Sequence, residues 1–319
     1  MAIIGKDIKA AKKILDNHDL VAIPTETVYG LAGNALSALA VSKIFSVKNR
    51  PVFDPLIVHT YHLDKIQDYI THFPDKAQKL AQTFMPGALT LLLPRKATIP
   101  DLVTAGLPNV AIRIPNHALT LKLLQNLDFP LAAPSANPFG YISPTTTQHV
   151  ENQLGTKIKY ILEGGEATIG IESTIVGFQE EEVIIYRLGG ISVEAIESIV
   201  GKVQVLPNAS SNPKAPGMLA SHYAPRKPLY LENAEILLKN YAPEAIGYLG
   251  FSEKSTKFPE QNQLLLSPTA DFEEAARNLF AYLRQLDAMP VQVILAALLP
   301  EKDLGRAIND RLSRAAIKS

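Results

Sequence analysis

The stretch Pro-Thr-Glu-Thr-Val-Tyr-Gly-Leu at residues 24–31 follows an apolar run, residues 20–24, whose composition predicts a β-strand. Two threonine hydroxyls and the carboxylate of Glu26 therefore lie where a strand meets a turn. Gly30 lets a backbone approach a ligand closely, because it carries no side chain. Open sheets usually build their binding sites at such strand ends. The stretch predicts either a ligand site or a structural strand end.

Two basic residues follow in Ser-Val-Lys-Asn-Arg-Pro at residues 46–51. Lys48 and Arg50, two apart on a turn, can hold a polyphosphate, the lysine as a point charge and the arginine as a fork. A solvated basic turn is the alternative. His59 lies near the end of the next predicted strand, residues 56–60, where a hydrogen-bonded structural histidine is the alternative to a ligand contact.

Arginines and small polar residues occupy further strand ends. Arg113 interrupts an apolar strand at residues 110–114, and a buried charge there requires an anionic partner, either a protein carboxylate or a ligand. Ser135 and Asn137 lie between two prolines and offer fixed hydrogen-bonding groups. Arg187 precedes a Gly-Gly turn, where it could bind phosphate or a surface acid. None of these features decides the function alone.

The order of the predicted elements indicates an α/β chain with two domains. Short apolar runs alternate irregularly with amphipathic stretches over residues 1–205, which predicts a mixed α+β twisted sheet. Residues 206–228 hold five prolines and predict an extended linker. Residues 229–319 predict a smaller Rossmann-like α/β domain, with a long amphipathic helix at residues 271–287.

The composition excludes several classes of protein. Lys and Arg number 31, and Asp and Glu number 31, so the zero formal charge argues against nucleic-acid binding by bulk charge. The absence of cysteine excludes disulfides, cysteine-rich zinc sites and cysteine nucleophiles. Neither a Walker A loop nor a G-x-G-x-x-G fingerprint is present. The lysine-rich N-terminus and the lack of a long apolar run predict a soluble, cytoplasmic protein.

Taken together, the strand-end segments resemble one known family. The chain contains, in this order, PTETVYGL, KNRP, PLIVH, AIRIP, APSAN, ESTIV and RLGG. This ordered set closely resembles the threonylcarbamoyl-AMP synthase family, which has the YrdC-like fold. The family's hallmark is a K-x-R followed much later by S-x-N, here Lys48/Arg50 and Ser135/Asn137. The match covers roughly residues 5–201, and the linker with Ser-His-Tyr-Ala-Pro at residues 221–225 resembles the long form, which has an extra C-terminal domain.

The resemblance implies a reaction that condenses L-threonine, bicarbonate and ATP to threonylcarbamoyl-AMP and releases pyrophosphate. The adenylate would then feed threonylcarbamoyladenosine formation in tRNA through a downstream transferase machinery. The implied cofactor is Mg²⁺ bound with ATP, and no metal held by the protein itself is expected. Phosphoryl chemistry of this kind mainly requires positioning and charge neutralisation.

The resemblance also assigns residues to the two substrates, with Lys48 and Arg50 as the catalytic pair. The implied ATP contacts are Lys48, Arg50, Asp54, Asn109, Ser135, Asn137, Ser143, Arg187, Tyr223 and His222. The implied threonine contacts are Thr27, His59, Arg113, Ala133 and Ser173. Tyr223 and His222 would reach back from the linker, which would act as a lid over the active site. Asp54 departs from the family, because many members have asparagine there, and a carboxylate near a triphosphate repels it unless Mg²⁺ or Lys48 intervenes.

Two other functions remain open. One is an RNA-binding module of the same fold without nucleotide turnover, although the zero net charge and the lack of aromatic stacking runs argue against stable nucleic-acid binding. The other is a carbamoyl transferase of the hydrogenase-maturation type, whose members carry cysteine-rich zinc fingers that this chain lacks. Near the C-terminus, Arg311, Arg314 and Lys318 fall on one helical face, which we interpret as solvated surface, with a partner contact as the alternative.

Overall fold

Two α/β domains are present in the computed structural model, which describes residues 1–180, 182–206, 215–216, 218, 222–231 and 234–316. The strands of the larger domain are β1 (Ile3–Gly5), β2 (Val21–Ile23), β3 (Gly30–Asn34), β4 (Ile57–His59), β5 (Leu89–Pro94), β6 (Asn109–Arg113), β7 (Leu131–Ala132), β8 (Tyr160–Leu162), β9 (Thr174–Gln179), β10 (Glu182–Arg187) and β11 (Gln204–Val205). Its helices are α1 (Ile8–Asp16), α2 (Ala38–Lys48), α3 (Leu63–Ile66), α4 (Asp75–Phe84), α5 (Asp101–Thr104), α6 (Ala118–Gln125), α7 (Thr147–Leu154) and α8 (Val193–Val200).

The strands of the larger domain form one mixed sheet. Among the described residues its order is β1-β8-β2-β3-β7-β4-β6-β5-β9-β10-β11. Neighbouring strands are parallel in some pairs, such as β4 with β6, and antiparallel in others, such as β5 with β6. This arrangement confirms the predicted mixed sheet.

Both faces of this sheet are covered, because successive residues of a strand point to opposite sides. In β2, Ala22 belongs to one buried apolar cluster, which includes Ile44 of α2. Its neighbours Val21 and Ile23 belong to another, which includes Leu15 of α1. Because both faces are covered, polar side chains can gather at the ends of the strands.

The smaller domain is a parallel sheet with helices. Its strands are β12 (Leu229–Leu231), β13 (Ile246–Gly250), β14 (Gln263–Leu265) and β15 (Val293–Ala296), in the order β12-β15-β13-β14 among the described residues. Its helices are α9 (Ala234–Asn240), α10 (Phe272–Ala288) and α11 (Gly305–Ala316), with 3₁₀ turns at Pro243–Ala245 and Glu260–Asn262. All three pairs of neighbouring strands in this order are parallel. This topology confirms the predicted Rossmann-like class.

The two domains share a buried apolar cluster. Val28, Ile142 and Ile171 of the larger domain pack with side chains of α10 and α11. Polar contacts add to this interface: the Tyr141 hydroxyl donates to Oδ2 of Asp287 at 2.6 Å. These contacts hold the smaller domain against the two segments of the larger domain that lead into Ser143 and Ser173. The domain boundaries predicted near residues 205 and 228 stay predictions.

Some elements carry no clear sequence signal. The strand β3, Gly-Leu-Ala-Gly-Asn, lacks the alternation or β-branched content that predicts strands, and it forms because it is paired on both sides in a fully buried position. Most of the linker, residues 207–214, 217 and 219–221, lies outside the described residues. Within the described part of the chain, no helix has the length and apolar character needed to cross a bilayer.

Candidate active site

One cavity collects most of the predicted site residues. The predicted residues that line it are Thr27, Arg50, His59, Arg113, Ala133, Ser135, Ser173, Arg187, His222 and Tyr223. Several come from strand ends: His59 and Arg113 are register partners at the carboxyl ends of the parallel strands β4 and β6. Carboxyl ends of parallel strands are the usual place for ligand sites in open sheets.

Arg113 is paired with a protein carboxylate. Its Nη2 lies 2.8 Å from Oε1 of Glu26, and both side chains are only 5% exposed. Its Nε donates to the Gly87 carbonyl at 3.1 Å. The sequence left open whether a carboxylate or a ligand would compensate this charge. The structure supplies Glu26 and leaves the guanidinium in the cavity wall.

His59 is held neutral beside Arg113. Burial, followed by the positive charge of Arg113, lowers the pKa of His59 to about 3. Its Nδ1 lies 3.2 Å from the Ile57 carbonyl oxygen. A neutral imidazole in this wall does not repel a cationic amine.

Arg50 is fixed by the turn that follows it. Its Nη2 lies 2.9 Å from Oδ2 of Asp54 in a buried ion pair, and it also donates to the Pro55 carbonyl at 2.9 Å. Asp54 therefore serves as the counter-ion of Arg50, which gives the unusual carboxylate a structural reason. Arg50 itself reaches the cavity wall.

Lys48 lies behind the cavity wall. Its Nζ donates to the carbonyls of Ser135 and Asn137, at 2.5 Å each. Burial, followed by the charge of Arg50, lowers its pKa well below the ordinary value. Lys48 thus holds the backbone of the S-x-N loop, and its hydrogen bonds link the two halves of the family hallmark.

Arg187 and Ser173 form another part of the wall. Arg187 donates through Nε and Nη2 to the Ser173 carbonyl at 3.0 and 2.8 Å, and through Nη2 to the Ser173 hydroxyl at 3.0 Å. Burial lowers the pKa of Arg187 to about 10, so the guanidinium stays charged at neutral pH. Its Nη1 also lies 3.5 Å from the Pro216 carbonyl, which belongs to the predicted linker.

Glu172 brings a carboxylate into the same wall. Its Oε1 accepts from the Ser143 hydroxyl at 2.6 Å, and its Oε2 accepts from Nε of Arg311 at 3.0 Å. Ser143 is fully buried behind Glu172 and does not line the cavity. Glu172 is the first residue of the ESTIV segment, and no role was predicted for it from the sequence. A charge at the start of a buried strand was the signal that it needs a partner.

The aromatic pair from the linker closes one side of the cavity. The Tyr223 ring stacks on Phe280 of α10, with centroids 5.5 Å apart. The guanidinium carbons of Arg311 and Arg314 lie 5.2 and 4.9 Å from its centroid. His222 packs edge-on against Phe139 at 5.6 Å. Both residues of the pair are almost fully buried, but the lid role of the whole linker stays a prediction.

The interpretation of the C-terminal arginines as solvated surface is wrong. Arg311 is 0% and Arg314 is 2% exposed, because α11 packs this face against the larger domain and Tyr223. The prediction failed because helical periodicity shows which residues share a face and does not show what covers it. Lys318 lies outside the described residues.

Five predicted ATP contacts do not line the cavity: Ser143, described above, and Lys48, Asp54, Asn137 and Asn109. Lys48, Asp54 and Asn137 lie directly behind the residues that line the cavity. The Asn137 side chain donates to the Pro138 and Tyr141 carbonyls at 2.9 and 2.8 Å.

Asn109 is at the opposite end of β6 from Arg113, roughly 13 Å away at 3.3 Å per residue. It lines a separate depression with His72 and Glu180. Its contact with ATP stays a prediction.

The described part of the chain contains no cluster of potential metal-binding side chains. Among those residues, no group of three or more His, Asp or Glu side chains could hold a metal ion. The carboxylates near the cavity, Asp54 and Glu172, are paired with arginines. Mg²⁺ commonly keeps several waters and needs few protein ligands, and the Mg²⁺ expected with ATP stays a prediction.

Comparison with known proteins agrees with this geometry. Residues 13–189 match the family model described as "Telomere recombination", and residues 191–317 match the "Threonylcarbamoyl-AMP synthase, C-terminal domain". The chain is 38% identical to the threonylcarbamoyl-AMP synthase of Pyrococcus abyssi, over 97% of this chain and 94% of that protein. It is 39% identical to that of Bacillus subtilis, over 97% and 92%. The structure titled P. abyssi Sua5 complexed with L-threonine superposes with a TM-score of 0.89 at 36% identity, covering 99% of this chain and 97% of that one. The chain therefore belongs to the threonylcarbamoyl-AMP synthase family, in the long form with the additional C-terminal domain.

Proposed function

We propose that this chain condenses L-threonine, bicarbonate and ATP to threonylcarbamoyl-AMP with release of pyrophosphate. The observation that carries the proposal is the convergence of Arg50, Arg113 and Arg187 on one cavity that also holds the Thr27 and Ser173 side chains. An amino acid brings a carboxylate and ATP brings a triphosphate, so a shared site needs separate cations for the two anions. The membership of this synthase family supports the same reaction.

The threonine end would be built around Arg113. Two of its N–H groups face Gly87 and Glu26, and a guanidinium has five, so others can bind the amino-acid carboxylate. Thr27, His59, Ala133 and Ser173 would surround the rest of threonine. His59 is neutral, with a pKa of about 3, so it adds no repulsive charge beside the threonine amine. That amine must lose its proton before it captures bicarbonate as a carbamate.

The ATP end would be built around Arg50 and Arg187. Both guanidinium groups lie in the cavity wall and are fixed by backbone carbonyls, so they are pre-positioned to neutralise phosphate charge while the carbamate oxygen attacks the α-phosphorus. Lys48 would act by holding the loop of Ser135 and Asn137. His222 and Tyr223 would cover the nucleotide. Mg²⁺ bound to the phosphates would neutralise part of the remaining charge, and we assign no ligand role to a protein carboxylate.

The product and its destination are also part of the proposal. A mixed carbamic–phosphoric anhydride is reactive, so it would pass directly to a transferase that places the threonylcarbamoyl group on tRNA. The enzyme would act in the cytoplasm, where that substrate is present. An RNA-binding module without turnover is not favoured by the family assignment.

The test is pyrophosphate release with threonine, bicarbonate and ATP, each omitted in turn, with the adenylate identified by mass spectrometry. We expect product only when all three substrates are present. Serine in place of threonine measures the selectivity of the amino-acid end. Pyrophosphate release that ignores threonine would contradict the proposal, and salt-sensitive RNA binding without any turnover would support the RNA-binding alternative.

A further inference from the structure

The smaller domain places a buried positive charge against the wall of the cavity. Arg311 of α11 is fully buried, and it donates to Glu172, which lines the cavity together with Arg187. We propose that Arg311 is a positioning residue for the reaction: it neutralises and orients Glu172, so that the cavity accepts a triphosphate and Arg187 keeps its charge for that substrate. This inference rests on the proposed function, and it explains why the catalytic cavity is built against a second domain.

The carboxylate of Glu172 makes such a partner necessary. A negative charge in the wall of a cavity repels a triphosphate, and partial burial strengthens the repulsion because water screens it less. Burial alone raises the pKa of Glu172, but the charges of Arg311 and Arg187 and the hydrogen bond from Ser143 lower it below the ordinary value. Glu172 is therefore ionised at neutral pH. Arg187, the other cation that acts on Glu172, is one of the two arginines assigned to ATP, so without Arg311 part of its charge would be used to neutralise Glu172.

Further contacts fix Arg311 in a position from which it can neutralise Glu172 without touching the nucleotide. Its Nη2 donates to the Leu188 carbonyl at 2.7 Å, and its Nη1 donates to Oδ2 of Asp310 at 2.6 Å. The same guanidinium lies 5.2 Å from the centroid of the Tyr223 ring. One side chain of the smaller domain thus contacts two parts of the cavity wall, Glu172 and Tyr223, that come from separate segments. Arg311 does not itself line the cavity.

The test compares Arg311→Met, Glu172→Gln and the double variant in steady-state kinetics. Arg311→Met should raise the KM for ATP by at least about tenfold, a modest effect for removing one partner of a buried charge pair, while the KM for threonine changes less. The double variant should recover most of the ATP affinity, because glutamine still accepts from Ser143 and carries no charge. A role of Arg311 in packing alone would not be rescued by changing Glu172.

Arg306→Met is the matched control. Arg306 also joins α11 to the larger domain, through Glu194 at 3.0 Å, but this pair is partly exposed and lies outside the cavity lining. Its KM for ATP should equal that of the wild type. If Arg311→Met does not fold, the double variant carries the test, because it leaves no unpaired charge at position 172 and its KM for ATP should stay within about threefold of the wild type.

The outcomes separate this inference from the proposed function. A wild-type protein that makes no threonylcarbamoyl-AMP from the three substrates contradicts the function itself. An active wild type with an unchanged KM for ATP in folded Arg311→Met refutes the positioning role. A double variant whose KM for ATP rises as much as that of Arg311→Met, or by about tenfold or more, also refutes it. A selective rise that Glu172→Gln reverses supports it.

Discussion

Replacing Glu26 with glutamine should make the stability of this protein depend strongly on threonine. Glu26→Gln keeps the shape of the side chain and removes its charge, which leaves Arg113 without the carboxylate that lies 2.8 Å from its Nη2. Both side chains are 5% exposed, so little water can compensate. Breaking a buried ion pair in this way costs about 3–5 kcal/mol. We therefore expect the free energy of unfolding to fall by about 3 kcal/mol in the absence of threonine.

Threonine should return part of this loss if its carboxylate binds Arg113. A ligand at 100 times its dissociation constant stabilises any protein by about 2.7 kcal/mol. Because the bound carboxylate would also supply the missing charge, threonine at one fixed concentration should stabilise Glu26→Gln by at least about 1 kcal/mol more than the wild type. The measurement is urea unfolding followed by circular dichroism, with and without threonine.

The control for this prediction is a variant that breaks an exposed ion pair. Asp16→Asn breaks the exposed Lys12–Asp16 pair, at 3.2 Å with side chains 34% and 41% exposed, and should change stability by no more than about 0.5 kcal/mol. Equal stabilisation of Glu26→Gln and the wild type by threonine would show that Arg113 does not receive the carboxylate. A loss below about 1 kcal/mol without threonine would show that the pair is not buried as described.

Three further predictions concern other parts of the cavity. Arg50→Ala should abolish adenylate formation and destabilise the fold by about 3 kcal/mol, because the buried Asp54 carboxylate loses its ion pair with Arg50. The double variant Arg50→Ala/Asp54→Asn should recover the stability in urea unfolding but none of the activity. Recovered activity would contradict the role of Arg50. The pKa of His59 is lowered from 6.5 to about 3, so the unfolded chain binds a proton that the folded chain does not, and stability should fall as the pH decreases from about 6.5 toward 3. His59→Gln should flatten this dependence in unfolding measured between about pH 4 and 7, and an unchanged slope would argue against a neutral buried histidine. Gly189→Ala would place a Cβ 2.4 Å from the Glu172 carbonyl oxygen and the Ser173 carbonyl carbon, so it should lower kcat/KM by at least about tenfold through displacement of Ser173, and wild-type kinetics would exclude that close contact.

Much of the fold is predictable from this sequence because its signals are local. The amphipathic period of residues 271–287 matches α10, observed at Phe272–Ala288, and the apolar run at residues 110–114 matches β6 within one residue at each end. The strand β3 is the counter-example, since its glycines and alanine carry no strand preference and only its two neighbours make it a strand. The arginines of α11 show the same limit for burial, because the sequence pattern does not show that another part of the protein covers their face of the helix.

The candidate site was predictable in its members and less so in their arrangement. Arg113 stood out because a charge inside an apolar strand requires a partner, Arg50 because of its basic turn and Arg187 because it precedes a Gly-Gly turn, and all three line the cavity. Lys48 was predicted as a direct ATP contact, whereas its hydrogen bonds run to the backbone of the S-x-N loop. A K-x-R spacing cannot show this, since it does not specify which way each side chain turns relative to a loop some 87 residues further along the chain.

The sequence alone indicated the class of fold through periodicities within a dozen residues. It indicated the family through the resemblance of its ordered motifs, and that resemblance implied the reaction. Only the tertiary structure decided which charges neutralise one another: Glu26 with Arg113, Asp54 with Arg50, and Glu172 with an arginine 139 residues away in the other domain. The physical reason is that electrostatic pairing depends on distances of a few ångströms and on burial. Between segments far apart in the chain, both are set by packing, and no local pattern in the sequence records them.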